Sequence, residues 1–210
     1  GDAVRRTADR LDRALAGQVL AATDFRVPKL ATTDLTGATV LRTATHGKHL
    51  LTRLRSTDER ELTLHTHLKM EGSWRFVAAG ARWPGPGHEA RVVLGTDVVE
   101  AIGFRLGIVE LLTTADEPGV VGHLGPDLLG PWTATDEATA CDRIGADPER
   151  VLADALLDQT VVAGMGTIWV AEACFVTGPL GTRVFRTLPR RSYHRSVFRP
   201  EATDPPVLTL

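Results

Sequence analysis

Arg91-Val92-Val93-Leu94-Gly95-Thr96-Asp97-Val98-Val99-Glu100-Ala101-Ile102 is the stretch that decides the fold. The runs Arg91 to Leu94 and Val98 to Ile102 read as strands, and Gly95-Thr96-Asp97 between them has the chemistry of a short hairpin link. The same texture extends in both directions. Between about Val19 and Leu112, short alternating runs recur at Val40 to Thr43, His49 to Leu54, Leu62 to His67 and Trp74 to Val77, separated by glycine and proline turns. Many short strands with such punctuation predict a β-sandwich. Ahead of it, Val4, Ala8, Leu11 and Leu15 recur at helical spacing, with Asp2 placed to cap the start and Gly17 to stop the helix. Arg6, Arg10 and Arg13 share the opposite face. This helix is expected to lie against the sandwich.

The character changes after Pro118. Glycine and proline now punctuate helical segments, which predicts a second, helical domain over 118-210 following a β-sandwich domain over 1-117. The fold class is therefore α+β. Asp147-Pro148 reads as a helix start, followed by the apolar stripe Val151, Leu152, Ala155 and Leu156. Ala163-Gly164-Met165-Gly166 then leads into a second helix over Thr167 to Val176. A helix, a glycine-bearing double turn and another helix make a phosphate-binding device, because the second helix presents unsatisfied N–H groups at its positive end.

The chain has 210 residues, 43% of them hydrophobic and 24% charged, a composition that excludes disordered and collagen-like classes. Its net charge of -2 argues against a uniformly basic nucleic-acid coat. The charge is nevertheless segregated. Between Ala173 and Pro200 there are six arginines (Arg183, Arg186, Arg190, Arg191, Arg195 and Arg199) and no acid, so the remaining residues carry -8. Lysine is scarce: Lys29, Lys48 and Lys69 are the only three, and each invites inspection. Cys141 and Cys174 follow no CxxC or disulfide-like pattern and read as free, buried thiols of a reducing interior. No apolar run approaches the ~20 residues of a membrane helix, and no signal peptide opens the chain. A soluble cytoplasmic, nucleoid-associated monomer without membrane contact is expected.

Four stretches, in order, resemble the formamidopyrimidine-DNA glycosylase and endonuclease VIII family of repair enzymes. They are Gly1-Asp2 with its helix; Thr45-His46-Gly47-Lys48-His49-Leu50-Leu51; His67-Leu68-Lys69-Met70-Glu71-Gly72; and Leu156-Leu157-Asp158-Gln159-Thr160-Val161-Val162-Ala163-Gly164-Met165-Gly166. The resemblance implies a helix-two-turns-helix domain after the sandwich. It also implies a bifunctional glycosylase and AP lyase on double-stranded DNA containing oxidised bases or abasic sites: the damaged base is flipped out, its glycosidic bond is broken and the strand is cut by elimination. In the family the nucleophile is the amine of an N-terminal proline, with a glutamate beside it as general acid or base. An α-amino group of pKa ~7.7 to 8.0 is neutral roughly 10% of the time at pH 7, far more often than a lysine at ~10.4. These 210 residues begin at Gly1 and do not include that Pro-Glu pair. Two expectations follow: two leading residues lie outside the given sequence, or the chain is a non-catalytic DNA-binding relative.

The resemblance assigns roles residue by residue. Lys48 corresponds to the lysine that assists elimination and contacts phosphate, against the alternative of an exposed strand lysine. His67 would contact a backbone phosphate, or be a satisfied core histidine. Lys69 and Met70 belong to the loop that fills the gap left by the extruded nucleotide; an unbranched, adaptable Met70 suits a wedge between bases, and the alternative tucks it into the core. Arg105, in Gly103-Phe104-Arg105-Leu106-Gly107, resembles the arginine that enters the duplex opposite the lesion, or is a plain surface residue. His123 stands where some relatives place a DNA-contacting arginine. Gly166 and Thr167 stand where the family has Gly-Asn; a threonine hydroxyl can cap the helix but offers one donor in place of the amide's two. Glu172, further along this helix, is expected to orient a donor.

No metal is expected at the histidines, because alternation places His65 and His67 on one face with no acidic or thiol partner in view. The CxxC pairs of the family's zinc ribbon are absent after Cys174, so no cofactor is expected in this chain. The six tail arginines are either a substitute basic contact, whose six phosphate contacts would give a salt slope of about -5, or a solvated tail. A ribosomal or RNA-binding protein sharing only the double turn would leave the Lys48 and Met70 stretches unexplained.

Overall fold

The computed structural model describes residues 1–176. The arginines from Arg183 to Arg199 lie outside the described residues. Over the described residues the chain divides into two compact units, one formed by Ala3–Gly122 and the other by Gly1–Asp2 with the described residues from His123 onward.

The helical period at the N-terminus is realised as α1 (Asp2–Leu15), whose Val4, Ala8, Leu11 and Leu15 are buried while Arg6, Arg10 and Arg13 face outward. Asp2 is the first helical residue and not the cap; its carboxylate sits in the first turn, where it complements the positive helix end. Gly17, at φ +77°, adopts the left-handed conformation that lets the chain leave the helix.

Among the described residues eight strands follow: β1 (Ala22–Phe25), β2 (Thr39–His46), β3 (His49–Arg55), β4 (Glu61–His67), β5 (Ser73–Ala78), β6 (Ala90–Gly95), β7 (Val99–Phe104) and β8 (Ile108–Thr113). They form two four-stranded antiparallel sheets, ordered β1-β6-β7-β5 and β2-β3-β4-β8. The β6-β7 hairpin is present, but its link is Thr96-Asp97-Val98; Gly95 ends β6 and Val98 is left in the turn. Thr96 organises that turn, its Oγ1 accepting from the N–H groups of Val98 and Val99.

The core between the sheets draws Leu50, Leu54, Leu62 and Leu64 from one side and Trp74, Val92, Leu94 and Ala101 from the other, closed by the apolar stripe of α1. Each large side chain buried there contributes about 1.5–3 kcal/mol. Asp12 on α1 accepts the N–H of Thr43 at 2.7 Å, just past the bulge between Val40 and Arg42 in β2, and so ties helix to sheet. Alternation then decides the faces. With Leu50, Leu62 and Leu64 turned inward, their neighbours His49, His65 and His67 lie on the outer face of β3 and β4.

The short helix α2 (Glu117–Val121) belongs to this unit. Its Glu117 receives two hydrogen bonds from Arg53 on β3, at 2.7 and 2.6 Å, and one from Thr63 on β4 at 2.6 Å.

The second unit contains α3 (Ala134–Gly145), α4 (Leu152–Leu157) and α5 (Thr167–Val176). A capping box between Thr133 and Asp136 starts α3. Asp147-Pro148, expected to start a helix, instead forms a turn: Asp147 accepts from Glu149 N through its side chain and from Arg150 N through its carbonyl. The aspartate's local bonding outcompetes helix propagation, and α4 begins only at Leu152. Leu152, Ala155 and Leu156 still form the buried stripe, packed with Val161, Val162, Met165 and Val170.

Candidate functional site

One end of the β2-β3-β4-β8 sheet gathers most of the residues singled out in the first unit. The β2-β3 hairpin turns on Gly47-Lys48, with His46 paired to His49 and Gly47 at φ +58°. Glycine at the first turn position supplies the positive φ that a two-residue hairpin requires there. Lys48 therefore sits at the sheet end, half-buried. No carboxylate among the described residues lies within ion-pair distance of it, and burial lowers its pKa from the ordinary lysine value.

His49 is paired in register with His67, the last residue of β4. The His67 Nδ1 accepts the backbone N–H of Lys69 at 3.0 Å. Its pKa is pulled down to about 4, first by burial and then by the nearby positive charges of Lys69 and Lys48. A neutral imidazole that accepts at Nδ1 carries its proton at Nε2, so His67 presents a donor to an incoming oxygen atom. Its half-buried position is neither the core nor the open surface.

Lys69 has a φ of +52°, an unusual conformation for a non-glycine residue, and its stem lies against Gly107, where a Cβ would overlap it. The bond from Gly72 N to Leu68 O closes the loop, leaving Met70 at its tip 96% exposed. The core alternative for Met70 is thereby removed. Arg105 has a φ of +48°; its side chain reaches Glu89 at 3.3 Å and Glu71 at 4.0 Å. It is exposed and engaged with carboxylates, and it shares the Glu71 loop with Met70. Lys29 stays apart, exposed in a single 3-10 turn.

Two features of this face were not visible in the sequence. His65 does have an acidic partner: its Nδ1 lies 3.2 Å from the Glu110 carboxylate on β8, while its Nε2 lies 2.8 Å from His49 Nδ1. The expectation of histidines without an acid nearby is corrected by the β4-β8 register, which sets His65 opposite Glu110. Further along the same face, Arg53 and Glu117 form a largely buried pair. Burial pushes the Glu117 carboxyl up, but hydrogen bonds from Arg53 and Thr63 more than offset this and leave it below its ordinary value.

In the second unit, the double turn between α4 and α5 is organised by Gln159, another residue without an expected role. Its Nε2 donates to Leu157 O and Met165 O, and its Oε1 accepts from Gly164 N. The segment after His123 braces it, with Gly125 N bonded to Gln159 O and Ala163 N to Pro126 O. Gly164 has a φ of +97°, and a Cβ there would lie 3.0 Å from Asp127 Oδ1.

Helix α5 starts as expected, but Gly166 occupies the cap position, its carbonyl accepting from Val170 N at 3.0 Å, and Thr167 is the first helical residue. Thr167 cannot cap the helix from there. Thr167, Ile168 and Trp169 bring backbone N–H groups to an exposed helix end. His123 is exposed and takes no part in the bonds of the double turn, and Glu172 is exposed farther along α5. Cys141 and Cys174 form no disulfide and are half-buried, with burial the first cause of raised thiol pKa values.

No group of three His, Cys, Asp or Glu side chains among the described residues is arranged to hold a metal ion. No helix among the described residues is long and apolar enough to cross a membrane.

The family model for the formamidopyrimidine-DNA glycosylase N-terminal domain matches residues 2–106. The chain is 53% identical over 180 residues to the probable endonuclease 8 2 of Streptomyces coelicolor, covering 85% of this chain and 63% of that protein. It is 46% identical over 189 residues to the DNA-(apurinic or apyrimidinic site) lyase Nei2 of Mycolicibacterium smegmatis, covering 90% and 70% respectively. The chain thus spans about two thirds of the length of these relatives. In fold it is similar to the Lactococcus lactis Fpg solved with DNA containing N7-benzyl-Fapy-dG, at a TM-score of 0.73 and 22% identity, covering 91% of this chain and 72% of that one. With the matched model running from α1 through β7 and relatives at 53% and 46% identity covering most of the chain, the chain belongs to the formamidopyrimidine-DNA glycosylase and endonuclease VIII family.

Proposed function

We propose that this chain supplies the lesion-holding surface of a DNA glycosylase and AP lyase acting on oxidised bases and abasic sites in double-stranded DNA. The observation that carries this reading is the grouping of Lys48, His67, Lys69 and Met70 at one sheet end, with the apolar Met70 projecting into solvent. An exposed methionine on a pinned loop has little to do for stability, but it suits insertion between unstacked bases. The half-buried Lys48 ammonium lacks a carboxylate partner among the described residues, and a DNA phosphate would satisfy it. His67 adds a neutral Nε2–H donor to the same phosphate row, and Lys69 adds a second cation.

In this reading Arg105 leaves Glu89 and Glu71 to enter the duplex opposite the extruded nucleotide. Gly166, Thr167 and the following N–H groups of α5 take a separate phosphate, with His123 as a further contact. Thr167 holds that phosphate less firmly than the family's asparagine would, because it brings one hydroxyl in place of two amide donors.

The chemistry proposed is that of the family: attack by a terminal proline amine, glycosidic cleavage and β-elimination, with Lys48 assisting proton transfer and gripping phosphate. The named activity of the Mycolicibacterium relative, an apurinic or apyrimidinic lyase, supports it.

Binding to matched duplexes, one intact and one carrying a stable abasic analogue, tests the reading across a salt series. Preference for the abasic duplex by tenfold or more, with affinity falling as salt rises, is expected. Equal affinity for both, or indifference to salt, overturns it.

A further inference from the structure

The row Glu110, His65 and His49 lies outside every role given above, yet it ends at Lys48 and His67. Each member comes from a different strand, β8, β4 and β3. His65 is only 2% exposed, whereas the Glu110 side chain is 45% exposed, so the row runs from solvent inward and back to the sheet end. The His49 and His65 rings are close to coplanar, 19° between planes with centroids 5.0 Å apart, and the 2.8 Å nitrogen contact makes this an in-plane hydrogen bond and not a face-to-face stack. On its other side the His49 ring meets His67 edge to face, with centroids 4.9 Å apart at 71°.

Proton positions along this row follow from the carboxylate. An ionised Glu110 only accepts, so His65 must donate from Nδ1. Neutral His65 then has its lone pair at Nε2, and His49 must donate from Nδ1. The tautomer of His49 is thus dictated from Glu110 through a buried ring, in the way that carboxylates orient histidines at functional sites. His49 in turn props the ring of His67, whose Nδ1 is already occupied by Lys69 N–H.

Resting on the proposed DNA-binding role of that edge, we infer that Glu110 and His65 are positioning residues: they fix the tautomer and plane of His49, and so hold His67 and the Lys48 turn in the geometry that receives a backbone phosphate.

The test pairs a spectroscopic reading with an affinity. In the full chain, nitrogen NMR of the imidazoles is expected to show His49 protonated at Nδ1 and bare at Nε2. Glu110→Leu removes the directing acceptor at a partly exposed position. It is expected to give a mixture of His49 tautomers and a fivefold to tenfold weaker affinity for an abasic-analogue duplex. His65→Leu should do the same. His65→Gln retains a donor toward Glu110 and an acceptor toward His49, and is expected to restore the tautomer and most of the affinity. A wild-type His49 protonated at Nε2, or a Glu110→Leu protein that keeps both tautomer and affinity, overturns the inference. Loss of affinity that Gln does not rescue, with the tautomer unchanged, also overturns it. Failure of the wild-type chain to prefer the abasic duplex strikes the functional reading instead, and is seen in the same titration.

Discussion

Met70→Ala separates function from stability more cleanly than any other single change. The side chain is 96% exposed, and the loop beneath it is held by the bonds from Gly72 N–H to the Leu68 carbonyl and from Lys69 N–H to His67 Nδ1, neither of which uses Met70. Truncation therefore leaves no cavity and breaks no bond, and the free protein should change by no more than about 0.5 kcal/mol. If Met70 inserts into the duplex, the bound state buries its side chain. Full burial of a methionine is worth about 1.5–3 kcal/mol, of which alanine keeps the first methyl group. A loss of about 1–2 kcal/mol remains, which is roughly a fivefold to thirtyfold rise in Kd. Fluorescence anisotropy with an abasic-analogue duplex reads the affinity, and a thermal melt of the free protein reads the stability. An unchanged Kd would refute the wedge, and a clear fall in Tm would refute the claim that this side chain does no structural work.

Other positions yield equally direct outcomes. Lys48→Met removes a half-buried cation that has no carboxylate partner among the described residues, so Tm should hold or rise while affinity for the abasic duplex drops at least tenfold; a large fall in Tm would count against a functional lysine. His67 should titrate by NMR with a midpoint near 4, not near 6.5. Because its folded value is depressed, the unfolded chain gains the proton first, and this histidine costs stability as pH falls from about 6.5 toward 4 while contributing no pH dependence above that window. A midpoint above 6 would remove the neutral Nε2–H donor from the account. Glu117→Ala leaves Arg53 buried without its partner and should cost about 3 kcal/mol in a denaturant melt. The depressed Glu117 value places that stabilisation above the unfolded carboxyl pKa of ~4.3 and removes it as pH falls through the lower folded value. Gly164→Ala forces a Cβ toward Asp127 at positive φ and should lower the stability of the helical unit by about 1–3 kcal/mol.

Local pattern carried α1 and the named strands, because burial on one face writes itself into spacing: Val4, Ala8, Leu11 and Leu15 could be read directly. The Thr167 start of α5 was legible from the glycine-bearing turn ahead of it, whereas Lys48, expected near the beginning of a strand, lies in the β2-β3 turn. The Glu110 partnership was not. Glu110 and His65 are 45 positions apart, and they meet only because β8 pairs with β4 across the intervening strands of the other sheet. Gln159 escaped notice because its work is done entirely toward backbone atoms of its own loop, which residue type alone does not reveal. Asp147-Pro148 misled because the signal for a helix start is also the signal for a turn, and the two diverge only in what the aspartate accepts.

Borohydride trapping on a duplex containing an abasic site tests the central claim most directly, using the chain with the family's Pro-Glu placed ahead of Gly1. A covalent protein–DNA adduct is predicted, strongly reduced by Lys48→Met and absent when the added proline amine is blocked. A folded protein that binds the abasic duplex and forms no adduct would contradict the assignment of lyase chemistry to this site.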